Sequence, residues 1–187
     1  MLFVEKDYTK IAVISDPHAN FTTFLALVNK IPKDYKIFVN GDMLDKGKKA
    51  KDLVDWVMNN ADANLGNHDH FMTVESNPRF WKRYESTWLE NNGKMSIKSY
   101  GDKWKINNDM ECRKLFLKHV NWLKSLPLVT LFPNIIVNNR PLIVSHSSIH
   151  NAMATFGNNL SQLKSFLNDK RKEPFAASTL IFLSLAI

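Results

Sequence analysis

The residues able to do chemistry fall in four short clusters. Asp16-Pro17-His18 offers a carboxylate and an imidazole, and Gly41-Asp42-Met43-Leu44-Asp45-Lys46-Gly47 sets two acids and a lysine between two glycines. Gly66-Asn67-His68-Asp69 adds an amide, an imidazole and another acid, and Ser145-His146 adds a further imidazole. Carboxylate oxygen, amide oxygen and imidazole nitrogen form a mixed hard and borderline donor set, suited to manganese, iron or zinc rather than to a thiolate-bound structural zinc. Taken singly, each group has a plain explanation: Asp16 as a cap or turn residue, Asn67 as a left-handed turn after Gly66, His146 as a hydrogen-bonded strand end. A turn also explains the glycines around Asp42 and Asp45, but not both acids. The order of the clusters reverses the preference, because DxH, GDxxD and GNHD follow three successive strand patterns.

Those patterns come from the spacing of apolar residues. Residues 10–15 make a short apolar run suited to a buried strand, and Phe21, Phe24, Leu25, Val28 and Ile31 then recur at helical spacing until Pro32. A second strand is expected at 35–40, a second one-sided helix through Ala50, Leu53, Val54, Val57 and Met58, and a third strand at 61–65. This βαβαβ order argues for a largely parallel sheet flanked by helices, an α/β fold. Residues 68–92 read as helices over the sheet edge, 109–125 as a helix ending before Pro127, and 128–132, 135–138 and 141–145 as strands. Ligands of open α/β sheets bind beyond the carboxyl ends of the strands, so all four clusters fall at one edge.

The 187 residues, 44% of them hydrophobic, are expected to form one domain with a substantial core. Glu5 and Asp7 interrupt the amino terminus where a secretion signal would be apolar, and no run approaches the ~20 apolar residues that span a bilayer. A cytoplasmic protein with no membrane partner is the expectation. The single cysteine, Cys112, excludes an internal disulfide and reads as a small buried hydrophobe. A net charge of +7 favours phosphate-bearing partners. Lys48, Lys49 and Lys51 read as a solvated face, and no nucleic-acid recognition motif is present. Packing is the expected role of Trp56, Trp81, Trp88 and Trp122, Trp104 is expected in a polar loop, and His70, His119 and His150 are assigned to surface or packing.

Asp16-Pro17-His18, GDMLDKG at 41–47, GNHD at 66–69 and Ser145-His146 resemble the DxH, GDxxDRG, GNH(E/D) and later-histidine motifs of the calcineurin-like metallophosphoesterases. The intervals match too: 26 residues from Asp16 to Asp42 and 25 from Asp42 to Asn67. Within that superfamily, Trp88-Leu89-Glu90-Asn91-Asn92-Gly93 with Ser99-Tyr100-Gly101, and Phe116-Leu117 with Trp122 to Pro127, are similar to segments of the bacterial and phage (lambda-like) serine/threonine phosphoprotein phosphatase branch.

The resemblance implies an α/β sandwich of central sheets flanked by helices, with residues 68–125 as a helical, cap-like segment. It implies two divalent metal ions, manganese foremost and iron or zinc as alternatives, which activate a hydroxide for attack on a phosphomonoester. Asp42 would bridge them, Asp16 and His18 would complete one ligand set, and Asn67 and His146 would serve the other. His68 would be the general acid with Asp45 holding its ring, and Lys46 would bind substrate phosphate. Asp69 is expected to cap or brace the helix that follows.

Three positions depart from the family pattern. Lys46 replaces an arginine, Ala19 replaces a glycine and is expected to avoid backbone conformations that only glycine tolerates, and no histidine follows His150. Residues 175–187 are accordingly expected to be a truncated or atypical end, with 178–187 an apolar strand. The expected function is a phosphomonoester hydrolase acting on phosphorylated proteins or small phosphate esters. The alternatives are a dinucleoside polyphosphate hydrolase of the same fold and a non-catalytic, phosphatase-like binding protein.

Overall fold

Strand and helix alternate through the first 75 residues because the apolar period switches between two and about four. A computed structural model describes residues 3–75 and 88–146. Strand β1 (Phe3–Glu5) is followed by β2 (Ile11–Ser15), α1 (Phe21–Val28), β3 (Lys36–Asn40), α2 (Ala50–Asn60), β4 (Asp62–Asn64) and α3 (Asn67–Glu75). After residue 88 come a π-helical turn (Leu89–Gly93), α4 (Lys94–Ser99), α5 (Lys103–Asn108), α6 (Met110–Ser125), β5 (Val129–Val137) and β6 (Arg140–Ser145). Trp81, His150 and the apolar end at 178–187 lie outside the described residues.

The strands form two three-stranded sheets. One has the order β2-β3-β4 and is wholly parallel; the other has the order β1-β5-β6, with β1 parallel and β6 antiparallel to β5. The side-chain alternation of a strand makes β2 and β3 serve two cores. Ile14 and Val39 face a large cluster built with Phe24, Leu53, Val57, Met72, Phe116, Val120 and Leu123. Val13 and Phe38 face the other way, toward Phe132 and Val144 of the second sheet, where Phe38 and Phe132 meet edge to face at 5.2 Å. Burying a side chain of this size contributes about 1.5–3 kcal/mol. The result is an α/β sandwich in which β2-β3-β4 lies between helices and a second sheet.

Four details differ from expectation. The short β1 makes a strand of the amino-terminal stretch, where none was expected. Residues 128–132 and 135–138 are one strand, β5, whose pairing with β6 slips between Phe132 and Ile136; Pro133 has no N–H to donate, which suits an irregularity. Asn138 and Asn139 have φ of 50° and 60°, the left-handed pair that closes a two-residue hairpin. Trp104 lies on α5 rather than in a loop, 72% exposed, because Asp102 caps that helix by accepting from the Lys105 N–H. Among the described residues no helix is long and apolar enough to cross a membrane.

Candidate metal centre

Parallel pairing of β2, β3 and β4 brings Ser15, Asn40 and Asn64 to one edge of their sheet, and the clusters emerge just beyond them. The first two loops are tied together by backbone: His18 N–H donates to Asp42 O, Ala19 N–H to Met43 O and Gly47 N–H to His18 O, at 2.9, 2.9 and 3.0 Å. Asp16, His18, Ala19, Asp42, Asp45 and Lys46 all have positive φ, between 41° and 66°. Each such residue costs roughly 1–2 kcal/mol, and a group of them at one edge is strain held by the surrounding structure. Ala19, at φ 55°, therefore keeps a left-handed backbone instead of avoiding it. Gly41 and Gly66 touch without side chains; a Cβ on Gly66 would lie 2.1 Å from the Asp42 nitrogen.

This packing makes Asp42 the hub. Its side chain is buried, with Oδ1 3.3 Å from His146 Nε2 and Oδ2 3.7 and 3.9 Å from the Nε2 atoms of His18 and His68. Asp16 stands 4.0 Å from His18 Nε2 through Oδ1, its other oxygen bonded to the Ser15 hydroxyl. The exposed Asn67 brings Oδ1 to 3.0 Å from His146 Nε2. Two close donor groups result, His18 with Asp42 and His68, and Asp16 with Asp42 and His146. Asp16, His18, Asp42, Asn67 and His146 thus meet at one edge, with His146 closest to Asn67 and Asp42 and with His68 beside His18 and Asp42.

The histidine rings test whether these donors suit a cation. His18 Nδ1 faces Leu44 O at 3.0 Å, His146 Nδ1 faces Asn40 O at 2.8 Å and His68 Nδ1 faces Asp45 Oδ2 at 2.8 Å. A carbonyl or carboxylate oxygen only accepts, so each Nδ1 carries the proton and, in the neutral ring, each Nε2 presents a lone pair toward Asp42. At His146 that lone pair meets Asp42 Oδ1 at 3.3 Å, an oxygen with no proton to offer when Asp42 is ionised, with the Asn67 side-chain amide beside it. Lone pairs aimed at one another are what a cation reconciles, and outward Nδ1–H bonds are the usual setting of metal-bound imidazole. A cation already stands here: Lys46 Nζ lies 2.8 Å from His18 Nε2. The donor set fits divalent metal.

Asp45 is fully buried, and besides His68 it accepts from the Ser96 hydroxyl at 2.5 Å and from Trp88 Nε1 at 3.1 and 3.0 Å to its two oxygens. Burial pushes its carboxyl up from the usual range, while the bonds from Ser96, His68 and Trp88 pull it down. Asp69 is buried as well. It accepts from the N–H groups of Met43, Leu44 and Gly66 at 2.9, 3.2 and 3.1 Å, so it clamps the Asp42 loop to the Asn67 loop and braces more than its own helix. Burial first, then the charge of Asp42, pushes Asp69 up to about 7 against those donors.

Four residues escaped sequence reasoning. Asn64 Nδ2 donates to Asn40 Oδ1 and Val144 O, Thr130 Oγ1 donates to Asn64 Oδ1, and Asn40 Nδ2 donates to Ser145 O, at 2.8 to 3.2 Å. These bonds tie β3 and β4 to β5 and β6, which sets His146 beside Asp42. The available signal was an asparagine ending each of two buried strands. Ser96 carried no such signal. His119 lies in the core, away from the centre, between the Tyr100 hydroxyl at 2.7 Å and Asp55 at 3.3 Å; His70 is on the surface.

A family model described as calcineurin-like phosphoesterase matches residues 9–175. No curated protein matches the chain. Similar solved structures include a metallophosphoesterase from Sphaerobacter thermophilus, 25% identical over 64% of this chain and 42% of that one, with a TM-score of 0.42. A proposed diadenosine tetraphosphatase is 16% identical over 80% and 55%, TM-score 0.46. A protein serine/threonine phosphatase from Saccharomyces cerevisiae is 23% identical over 93% and 48%, TM-score 0.48. The chain spans about half the length of these solved proteins.

Proposed function

The chain belongs to the calcineurin-like phosphoesterase family, and from that premise we propose that it is a metal-dependent phosphomonoester hydrolase acting on phosphoserine or phosphothreonine in proteins. The observation that carries the reading is the convergence of Asp16, His18, Asp42, Asn67 and His146 on one edge, with the His68–Asp45 pair beside them. Asp42 belongs to both close donor groups, which supports it as the residue shared between two cations. Two divalent ions, manganese in this proposal, would neutralise phosphoryl oxygens and lower the pKa of a water toward 7, roughly the value reached at such sites.

The chain's own residues do the rest. Lys46, the exposed base at the rim, offers an ammonium to a phosphoryl oxygen. His68 differs from the other two histidines in having its Nδ1 held by a carboxylate rather than a backbone carbonyl. A carboxylate on Nδ1 fixes the ring and its tautomer, which supports His68 as the group whose Nε2 passes a proton to the leaving alkoxide. The preference for phosphoprotein rests on the likeness of residues 88–101 to the phosphoprotein phosphatase branch.

Hydrolysis of p-nitrophenyl phosphate by manganese-supplemented protein, against an Asp42→Asn control, tests the reading. Turnover above the control is expected, and its absence would remove catalysis from the proposal. Kinetics on a phosphoserine peptide beside diadenosine tetraphosphate then test the substrate class: a higher kcat/KM on the nucleotide would replace phosphoprotein with dinucleoside polyphosphate.

A further inference from the structure

Asp45 is a fully buried carboxylate whose two oxygens face three separate side-chain donors. One donor, His68, belongs to the candidate chemistry. The others, Trp88 and Ser96, come from the turn and helix that begin at residue 88. Ser96 engages Asp45 twice: its hydroxyl donates to Oδ1 at 2.5 Å and accepts from the Asp45 N–H at 2.9 Å. The Trp88 indole N–H bridges Oδ1 and Oδ2.

The segment is itself fastened. Gly93 lies against the Trp88 indole, where a Cβ would come within 2.7 Å of the ring, and Ser99 accepts from the Lys51 N–H at the start of α2 while donating to Ser96 O. A carboxylate held only by His68 could rotate about its terminal bond, which has a broad torsional profile. A carboxylate also gripped from two other directions has one orientation.

We propose that Trp88 and Ser96 are positioning residues, fixing the Asp45 carboxylate so that Oδ2 stays aligned on Nδ1 of His68. The inference gives the stretch from Trp88 to Ser99 a specific role: it supplies the wall that aims an acid–imidazole pair. Its catalytic consequence rests on the hydrolase reading above, whereas its structural consequence does not. Loss of alignment should weaken proton donation to a poor leaving group, such as the serine alkoxide, and matter little for p-nitrophenolate, which departs without a proton.

The test compares the full-length wild type with Ser96→Ala, Ser96→Thr, Trp88→Phe and Asp45→Asn. The first readout needs no turnover: the exchange rate of the His68 Nδ1–H proton by NMR with 15N-labelled histidine, assigned through its loss in His68→Gln. We expect a protected proton in the wild type, loss in Asp45→Asn, faster exchange in Ser96→Ala and Trp88→Phe, and recovery in Ser96→Thr. Wild-type exchange in Ser96→Ala and Trp88→Phe would overturn the proposal, and if Trp88→Phe fails to fold, the serine pair decides.

The second readout is kinetic: about a tenfold or greater fall in kcat on a phosphoserine peptide, under about threefold on p-nitrophenyl phosphate, with KM unchanged. Equal losses on both substrates would overturn it. A wild type that hydrolyses neither substrate would sink the hydrolase reading, and the exchange measurement would still decide the positioning roles.

Discussion

The ammonium of Lys46 lies 2.8 Å from Nε2 of His18, the nitrogen that His18 turns toward Asp42. One positive charge is thus already in contact with the donors proposed for a metal. Lys46→Ala should bind manganese several-fold more tightly in calorimetry, because a neighbouring cation is removed. The same variant should have a KM for phosphate ester raised by about tenfold, because the phosphoryl oxygens lose a charge-assisted bond. Lys46→Arg should lower KM below the wild type, since a guanidinium grips phosphate through two parallel bonds where an ammonium makes one. A KM in Lys46→Ala equal to wild type would remove this residue from substrate binding.

Asp42 is the residue whose loss should be felt by both donor groups. Asp42→Asn keeps the shape and replaces one oxygen with an amide NH2, which cannot ligate. Metal retained after desalting, measured by elemental analysis, should fall from two equivalents to one or none, with affinity down by ~100-fold or more. Two equivalents retained in the variant would contradict the shared-ligand role.

Asp69 makes the clamp between the Asp42 and Asn67 loops measurable as stability. Asp69→Ala leaves the buried N–H groups of Met43, Leu44 and Gly66 without their acceptor. A buried donor left unsatisfied costs about 1–3 kcal/mol, so urea unfolding should show a loss of about 3 kcal/mol or more. A loss below about 1 kcal/mol would mean that water restores those bonds.

His119 gives the fold a pH dependence of known sign. Burial pushes its imidazole down from 6.5, outweighing the pull of Asp55. Between the unfolded value near 6.5 and the lower folded one, the unfolded chain binds the extra proton. The stability contributed by the neutral ring is therefore complete above about pH 6.5 and is lost as pH falls through the folded value. Between about pH 7.5 and 5.5 the wild-type urea midpoint should drop further than that of His119→Gln. Equal drops would place the effect on other groups.

Much of the centre was legible because its parts are local. Asp16, His18, Asp42 and Asn67 follow short runs expected to be strands, parallel strands deliver their carboxyl ends to one edge, and His146 follows a later strand run. Asp45 and His68 were legible through resemblance. Ser96 and the asparagines were not, since their meaning lies in partners 51 to 105 residues away, as between Asp45 and Ser96 or Asn40 and Ser145. Trp88 was legible as a buried ring but not as a donor. Trp104 misled because its polar neighbours suggest a loop, whereas the cap at Asp102 starts a helix there.

The bonds joining Asn40 and Asn64 to β5 and β6 also make the donor edge depend on both sheets. His146 reaches Asn40 across 106 residues of chain, so the donor set is finished only when the second sheet has docked on the first. Strands β2, β3 and β4 lead into Asp16, Asp42 and Asn67, and the remaining imidazole of the proposed set, His146, comes only after β6. With the ligand set proposed above, uptake of metal would therefore report that both sheets have come together.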